Sequence, residues 1–183
     1  MGRLIHSTNI SLDGCITDRE GSFDWSEPDP TVHQAINDLV RPMGTHLYGR
    51  RLYDVMAVWE TLDDDAPESR DFAQLWRAAD KIVYSRTLQE PASSRTRIEH
   101  DFDPATVRAF VDASDTDVLI GGAELTGIAL AAGIVDEIHA FVYPVVVGGG
   151  PRWLPDGVRL GLELVAMDRF PSGVVHLHHR IVP

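Results

Sequence analysis

The sequence predicts an α/β fold in which a mostly parallel central sheet is finished by antiparallel C-terminal strands. Short apolar, β-branched runs alternate with amphipathic helical stretches through the first part of the chain, and the last part holds long strand-like runs parted by GGGP and PSG turns. Alternating strand and helix builds parallel βαβ units, whereas strands joined by tight turns pair antiparallel.

Taken in order, Arg3–Ser11 (RLIHSTNIS) reads as an opening strand closed by the LDG turn. Cys15–Pro30 is dense in Gly, Pro, Asp and Ser, a loop long enough to cover a site. From Thr31, a possible N-cap, Val32, Ala35, Ile36, Leu39 and Val40 share a helix face before Pro42. HLYG is a short strand, Arg50–Trp59 and Ser69–Ala79 are helical in pattern, KIVY is a strand and Arg95–Glu99 another. Asp103 or Pro104 opens a helix, DVLI is a buried strand, and Gly122–Ala132 is a helix closed by Gly133. Glu137–Val147, Leu160–Phe170 and Val174–Val182 complete the chain as strands.

With 183 residues, 44% hydrophobic and 24% charged, and no Pro/Ser-rich linker or internal repeat, residues 1–183 read as a single domain with a packed core. The single cysteine, Cys15, demands no oxidising compartment, and neither an apolar signal core nor a membrane-length apolar run occurs. A cytoplasmic location and no membrane partner are expected. Sixteen basic against 28 acidic residues give a net charge of −12, which repels nucleic acid, so an anionic ligand needs a local basic pocket.

Three short motifs supply such places, each directly after an apolar strand: Gly49-Arg50-Arg51, Ser85-Arg86-Thr87 and Gly121-Gly122. In an open α/β sheet, ligands bind beyond the carboxyl ends of parallel strands, where helix N-termini offer free N–H groups. Glycine lets backbone approach phosphate, Arg gives forked charge-assisted hydrogen bonds, and the hydroxyls add donors, so the three together suit a phosphate-bearing dinucleotide. Taken singly, each is an ordinary turn or surface charge.

Other motifs fail on chemistry. Gly122–Gly127 has the first spacing of a P-loop, but Ile128 and Ala129 replace its Lys and hydroxyl. Gly148–Gly150 lies between strands rather than before a helix and reads as a hairpin or tight crossover. His176 and His178 alternate beside His179, but two imidazoles on a strand without acids do not make a metal site, and none is expected. No GxSxG elbow is present, and no catalytic residue is assigned.

The set S-x-D-G, G-R-R, S-R-T-L, I-G-G-A-E-L, V-D-E-I and Y-P-V-V-V-G-G-G resembles the dihydrofolate-reductase-like family over essentially the whole chain. It is most similar to the branch holding the reductase domain of riboflavin-biosynthesis proteins and its stand-alone relatives. The resemblance implies a three-layer fold, a homodimer and an NADPH-dependent reductase. It places the cofactor phosphates against Gly49, Arg50, Arg51, Ser85, Arg86, Thr87, Gly121, Gly122, Ala123, Glu124 and Leu125, with Ile16 near the nicotinamide. Arg86 is the expected reader of the ribose phosphate that distinguishes NADPH from NADH.

Two departures bear on function. Leu52 stands where the family commonly has a Thr that contacts the pyrophosphate. Counting back about sixteen residues from Gly49, to where dihydrofolate reductases carry their pterin-anchoring acid, reaches His33, which cannot make a paired carboxylate contact. Authentic dihydrofolate reduction is therefore not expected, and Asp29 and Asp38 read as solvated helix acids. Asn9 and Asp13 can hydrogen-bond a planar heterocycle and Trp25 can stack on it, which makes these three the substrate-side candidates. The expected function is hydride transfer from NADPH to a small heteroaromatic (pyrimidine, pteridine or flavin-precursor-like) or carbonyl substrate. The alternatives are a nucleotide or flavin-like ligand-binding module without turnover and a structural oligomer part. The homodimer expectation also rests on apolar strands such as Ile138–Val147, which a monomer would leave partly exposed.

Overall fold

The computed structural model describes residues 1–182. Eight strands form one sheet: β1 (Leu4–Ser11), β2 (Met43–Gly49), β3 (Asp80–Tyr84), β4 (Thr96–Glu99), β5 (Asp117–Gly121), β6 (Glu137–Tyr143), β7 (Gly161–Arg169) and β8 (Val175–Val182). Their order is β4-β3-β2-β5-β1-β6-β8-β7. All pairings from β4 through β6 are parallel, and β8 and β7 are added antiparallel. Five helices connect them: α1 (Pro30–Val40), α2 (Arg50–Met56), α3 (Pro67–Ala78), α4 (Pro104–Ala113) and α5 (Ala123–Ala131).

Strand alternation divides the core into two layers, because successive side chains point to opposite faces. Leu47, Ile82, Ile120 and Ile138 meet Val107 and Val111 of α4 and Leu125, Ala129 and Leu130 of α5. Tyr48, Val83 and Phe141 face the other way, where Val32 and Val40 of α1, Tyr53 of α2 and Phe72 and Trp76 of α3 cover them. The result is the expected three-layer dihydrofolate-reductase-like arrangement. Trp76 is fully buried, and its truncation to Ala would cost about 3–5 kcal/mol.

Local chemistry adjusts several predicted boundaries. Asp29, not Thr31, caps α1: Pro30 occupies the first turn without needing a donor, and the Asp29 carboxylate accepts from Thr31 N at 2.8 Å and Val32 N at 3.1 Å. The expected helix over Arg50–Trp59 ends at Met56 and tightens into a 3-10 turn over Ala57–Glu60. β6 stops at Tyr143 rather than Val147, because Pro144 has no N–H to continue the ladder.

The strand named in the dimer expectation is not left exposed. β6 is buried almost throughout, between β1 and β8. It is β7, at the sheet edge, whose residues are all exposed, with Leu164 at 55% and Met167 at 62%. Among the described residues no helix is long and apolar enough to cross a membrane.

Candidate active site

The sheet order brings the three turn motifs together. β3, β2 and β5 are adjacent and parallel, so Ser85-Arg86-Thr87, Gly49-Arg50-Arg51 and Gly121-Gly122 leave the same edge of the sheet side by side. Gly49 and Gly122 are the N-caps of α2 and α5, and neither helix start receives a side-chain cap. The two glycines also touch. Gly122 has φ +102°, and a Cβ there would lie 3.3 Å from Gly49 N and 3.4 Å from its Cα. Any side chain would push these turns apart, so the pair forms a close backbone cradle of the kind phosphate oxygens require. Ala123, Glu124 and Leu125 form the first turn of α5.

Leu52 packs into this edge: a Cβ on Gly121 would lie 2.5 Å from Leu52 Cδ2. The missing family hydroxyl is thus replaced by an apolar contact under the cradle.

Each cation of the edge has an acid beside it in a solvent-exposed pair. Arg50 Nε lies 2.7 Å from Asp54, Arg51 reaches Glu124 at 3.5 Å, and Arg86 pairs with Asp101 across the neighbouring loop. The Arg86 partner lies fifteen residues further along the chain. Exposed pairs contribute about 0–1 kcal/mol, whereas a charge-assisted hydrogen bond to a phosphate contributes about 1.5–3 kcal/mol. A phosphate bound there would win that exchange. Ser85 Oγ accepts from Thr87 N and Leu88 N at 3.2 and 3.0 Å and lies 3.4 Å from Thr87 Oγ1, so it shapes the turn.

One strand further along, past β1, the same edge opens into a cavity of about 340 Å³ lined by Trp25, Glu27, Asp29, Tyr143, Pro144, Val145, Ser172 and Val174. Trp25 sits in a short 3-10 turn, Asp24–Ser26, edge-on to Tyr143 with ring centroids 6.1 Å apart, and its Nε1 donates to Ser22 O. Asn9 Nδ2 bridges Ser26 O at 3.2 Å and Tyr143 Oη at 3.4 Å, tying β1 to this wall. Burial, and then the Asp29 charge, push the Tyr143 hydroxyl well above its ordinary value. Asp29 goes the other way: the neighbouring Ser172 and Thr31 hydroxyls lower its carboxyl to about 2.

Asp13, expected on the substrate side, is engaged by the chain itself. Its two carboxylate oxygens accept from Val147 N at 3.1 Å and Gly148 N at 2.9 Å, because the chain turns directly over it. It anchors the Gly-rich segment to the end of β1. That segment does more than turn. A Cβ on Gly150 would lie 2.1 Å from Thr17 O, and Ile16 N donates to Pro151 O at 3.0 Å, so Gly148–Gly150 backs the loop that carries Ile16. The GGG run was visible in sequence, but its partner, some 130 residues earlier, was not.

His33 lies outside the cavity. It is buried against the paired rings of Trp59 and Phe72, 5.9 and 5.8 Å away, where burial lowers its pKa. Counting residues located the helix but not the face, and the acid on the cavity wall is Asp29. Asp38 is at the surface, within reach of Gln34 and Arg41. Glu27, on the same wall, carried no sequence signal beyond its place in the loop.

The chain belongs to the RibD C-terminal domain family, whose model matches residues 3–176. It is 28% identical over 176 residues, 96% of its length and 93% of the other's, to the uncharacterized protein YyaP of Bacillus subtilis. Its fold is similar to that of a putative riboflavin biosynthesis protein from Shewanella sp. PV-4, with TM-score 0.78, 18% identity and 99% of both chains covered. It is also similar to dihydrofolate reductase from Enterococcus faecalis complexed with NADP(H), with TM-score 0.63, 14% identity, 98% of this chain and 95% of the other covered. Relatives in this family are reductases, which supports an oxidoreductase.

Proposed function

We propose that this chain is an NADPH-dependent reductase that delivers a hydride to a small heteroaromatic or carbonyl substrate held in the Trp25–Tyr143 cavity. One observation carries the reading: three phosphate-suited turns and an aromatic, acid-lined cavity open on the same edge of one sheet, separated only by the end of β1.

The residues present fit the cofactor. The Gly49/Gly122 cradle stays open to phosphate oxygens only while Gly122 lacks a side chain, and Arg50, Arg51, Arg86 and Thr87 lie in the adjoining turns as donors. NADPH, when bound, supplies the hydride, so no protein nucleophile is needed. The chain's work is alignment and exclusion of water. Ile16 is assigned the place near the nicotinamide, Trp25 closes over a planar ring, and Asn9 holds the Tyr143 hydroxyl. That hydroxyl remains protonated across the neutral range and is placed to donate a hydrogen bond to the substrate.

The cavity also sets the substrate's charge. Glu27 and Asp29 lie on its wall, and no Lys or Arg is among its lining residues. Two carboxylates without a cation repel a phosphate and accept hydrogen bonds from ring N–H or amino groups, so the substrate is an unphosphorylated ring bearing donors or a neutral carbonyl. The test is NADPH oxidation followed by absorbance against paired free and phosphorylated pyrimidines and pteridines and small carbonyls. Turnover of an unphosphorylated member is expected; binding of NADPH without turnover of any would favour the ligand-binding module instead.

The functional unit is a homodimer joined through β7. Leu162, Leu164 and Met167 are exposed on an edge strand whose outer backbone is unpaired, a surface that natural proteins cover.

A further inference from the structure

Strand pairing assembles, away from the cofactor edge, a cluster that no single segment of the chain contains. β6 and β8 are antiparallel with His139 directly opposite His178 and Phe141 opposite His176. The two-residue period of both strands therefore puts Glu137, His139, His176 and His178 on one face, the face that carries Phe141. Glu137 and His139 are 3% and 4% exposed. Glu137 begins β6, beside Ile5 near the start of β1, whereas the cofactor turns follow strand ends.

We propose that Glu137, His139 and His178 form a binding site for a divalent transition-metal ion of the zinc class. One ligand atom from each lies within 4.8 Å of those of the other two. Glu137 Oε2 is 3.0 Å from His178 Nε2 and 3.9 Å from His139 Nε2. Bonds of about 2.0–2.1 Å in tetrahedral geometry separate ligand atoms by about 3.3–3.4 Å, which the two Glu137 pairs bracket; the His139 and His178 rings stack with centroids 4.0 Å apart at 17°, so the partly exposed His178 ring must turn out of that stack for its in-plane lone pair to reach the ion.

The tautomers point the same way. Asp168 Oδ2 lies 3.3 Å from His176 Nδ1, and a carboxylate there selects the tautomer with the proton on Nδ1. His176 Nε2 is then an acceptor, and it sits 3.0 Å from His139 Nδ1, which must donate. That leaves a bare lone pair on His139 Nε2, a buried atom without a hydrogen-bond partner, turned toward the Glu137 carboxylate. Lone pair facing carboxylate is repulsive, and a cation between them relieves it. The Asp168–His176 pair acts as the outer support that orients a ligating imidazole. Arg3 Nη1 holds Glu137 Oε1 at 2.9 Å, which confines the carboxylate to one metal bond through Oε2. The ion displaces the His178 Nε2 proton that hydrogen-bonds Glu137, and the fourth position falls to water. Two nitrogens and one oxygen favour zinc, cobalt(II) or nickel(II) over calcium or magnesium.

The site would staple the β8–β7 ribbon to β6. The test uses full-length, untagged protein stripped with a chelator and titrated with Co²⁺ and with Zn²⁺. A visible Co²⁺ absorption band saturating at one equivalent per chain, displaced by Zn²⁺, is expected, together with a Zn²⁺-dependent rise in melting temperature. H139Q and, separately, the more accessible H178Q should each weaken binding at least tenfold, while H179Q, on the opposite face, should leave it unchanged. No saturable band in the wild-type protein overturns the proposal, as does binding that survives both H139Q and H178Q.

Discussion

The two halves of the sheet carry their chemistry in different ways. At the β3-β2-β5 edge, each motif is a run of consecutive residues at a strand end, and the fold only sets the runs side by side. In the β6-β8-β7 ribbon, the chemistry comes from residues paired across strands: His139 with His178, Phe141 with His176, Glu163 with Arg180. The first half is organised around backbone donors and exposed cations, the second around buried imidazoles and an exposed apolar edge. Consecutive motifs are suited to a ligand that lies across several loops. Cross-strand clusters are suited to something that holds strands to each other or to a second copy.

The largest effect that would break this division lies in the ribbon. Met167→Lys together with Leu164→Lys places two charges on the exposed face of β7, and light scattering should shift from a dimer to a monomer of about 20 kDa at micromolar concentration. A wild-type monomer under the same conditions would leave β7 without the role given to it.

At the other edge, Arg86→Ala should weaken NADPH by about tenfold to a hundredfold, the equivalent of about 1.5–3 kcal/mol, and change NADH far less. Raising salt should narrow the difference. If fluorescence titration shows both cofactors weakened alike, Arg86 only organises its loop with Asp101. The Asp101→Asn variant sharpens the point, since freeing Arg86 from its acid should tighten NADPH modestly.

Smaller still is the expected split at Trp25. Trp25→Ala should raise substrate KM or lower kcat while NADPH affinity stays within about threefold, under about 1 kcal/mol. Loss of NADPH binding alone would move Trp25 to the cofactor side of β1.

The smallest effect concerns acid stability. Folding lowers the Asp29 carboxyl to about 2, so its contribution is complete above the ordinary value near 4 and is lost as pH falls toward 2. Asp29→Asn removes that dependence, and chemical denaturation should show a flatter stability curve between about pH 4 and pH 2 than in the wild type.

The same contrast explains what could be read in the sequence. Gly49-Arg50-Arg51, Ser85-Arg86-Thr87 and Gly121-Gly122 were legible as strand-end turns because each lies within three consecutive residues, and the strand–helix alternation implies the sheet that aligns them. His176 and His178 were visible as a pair, but their β6 partners depend on which strands pair and in what register, which residue spacing does not encode. His33 illustrates a related limit: its distance from Gly49 was right for a substrate residue, while helix rotation turned it toward Trp59 and Phe72. Asp13 was placed at the right turn, but its oxygens went to Val147 and Gly148, on a segment whose return path the local sequence does not specify. The exposure of β7 rather than β6 follows from strand order alone.

The most direct test of the central claim is titration of the wild-type protein with NADPH and with NADH, monitored by the change in nicotinamide fluorescence. The proposed function predicts saturable binding of one NADPH per chain, at least tenfold tighter than NADH, because Arg86 is proposed to read the ribose phosphate that NADH lacks. Equal affinities for the two, or no saturable binding of either, would contradict it.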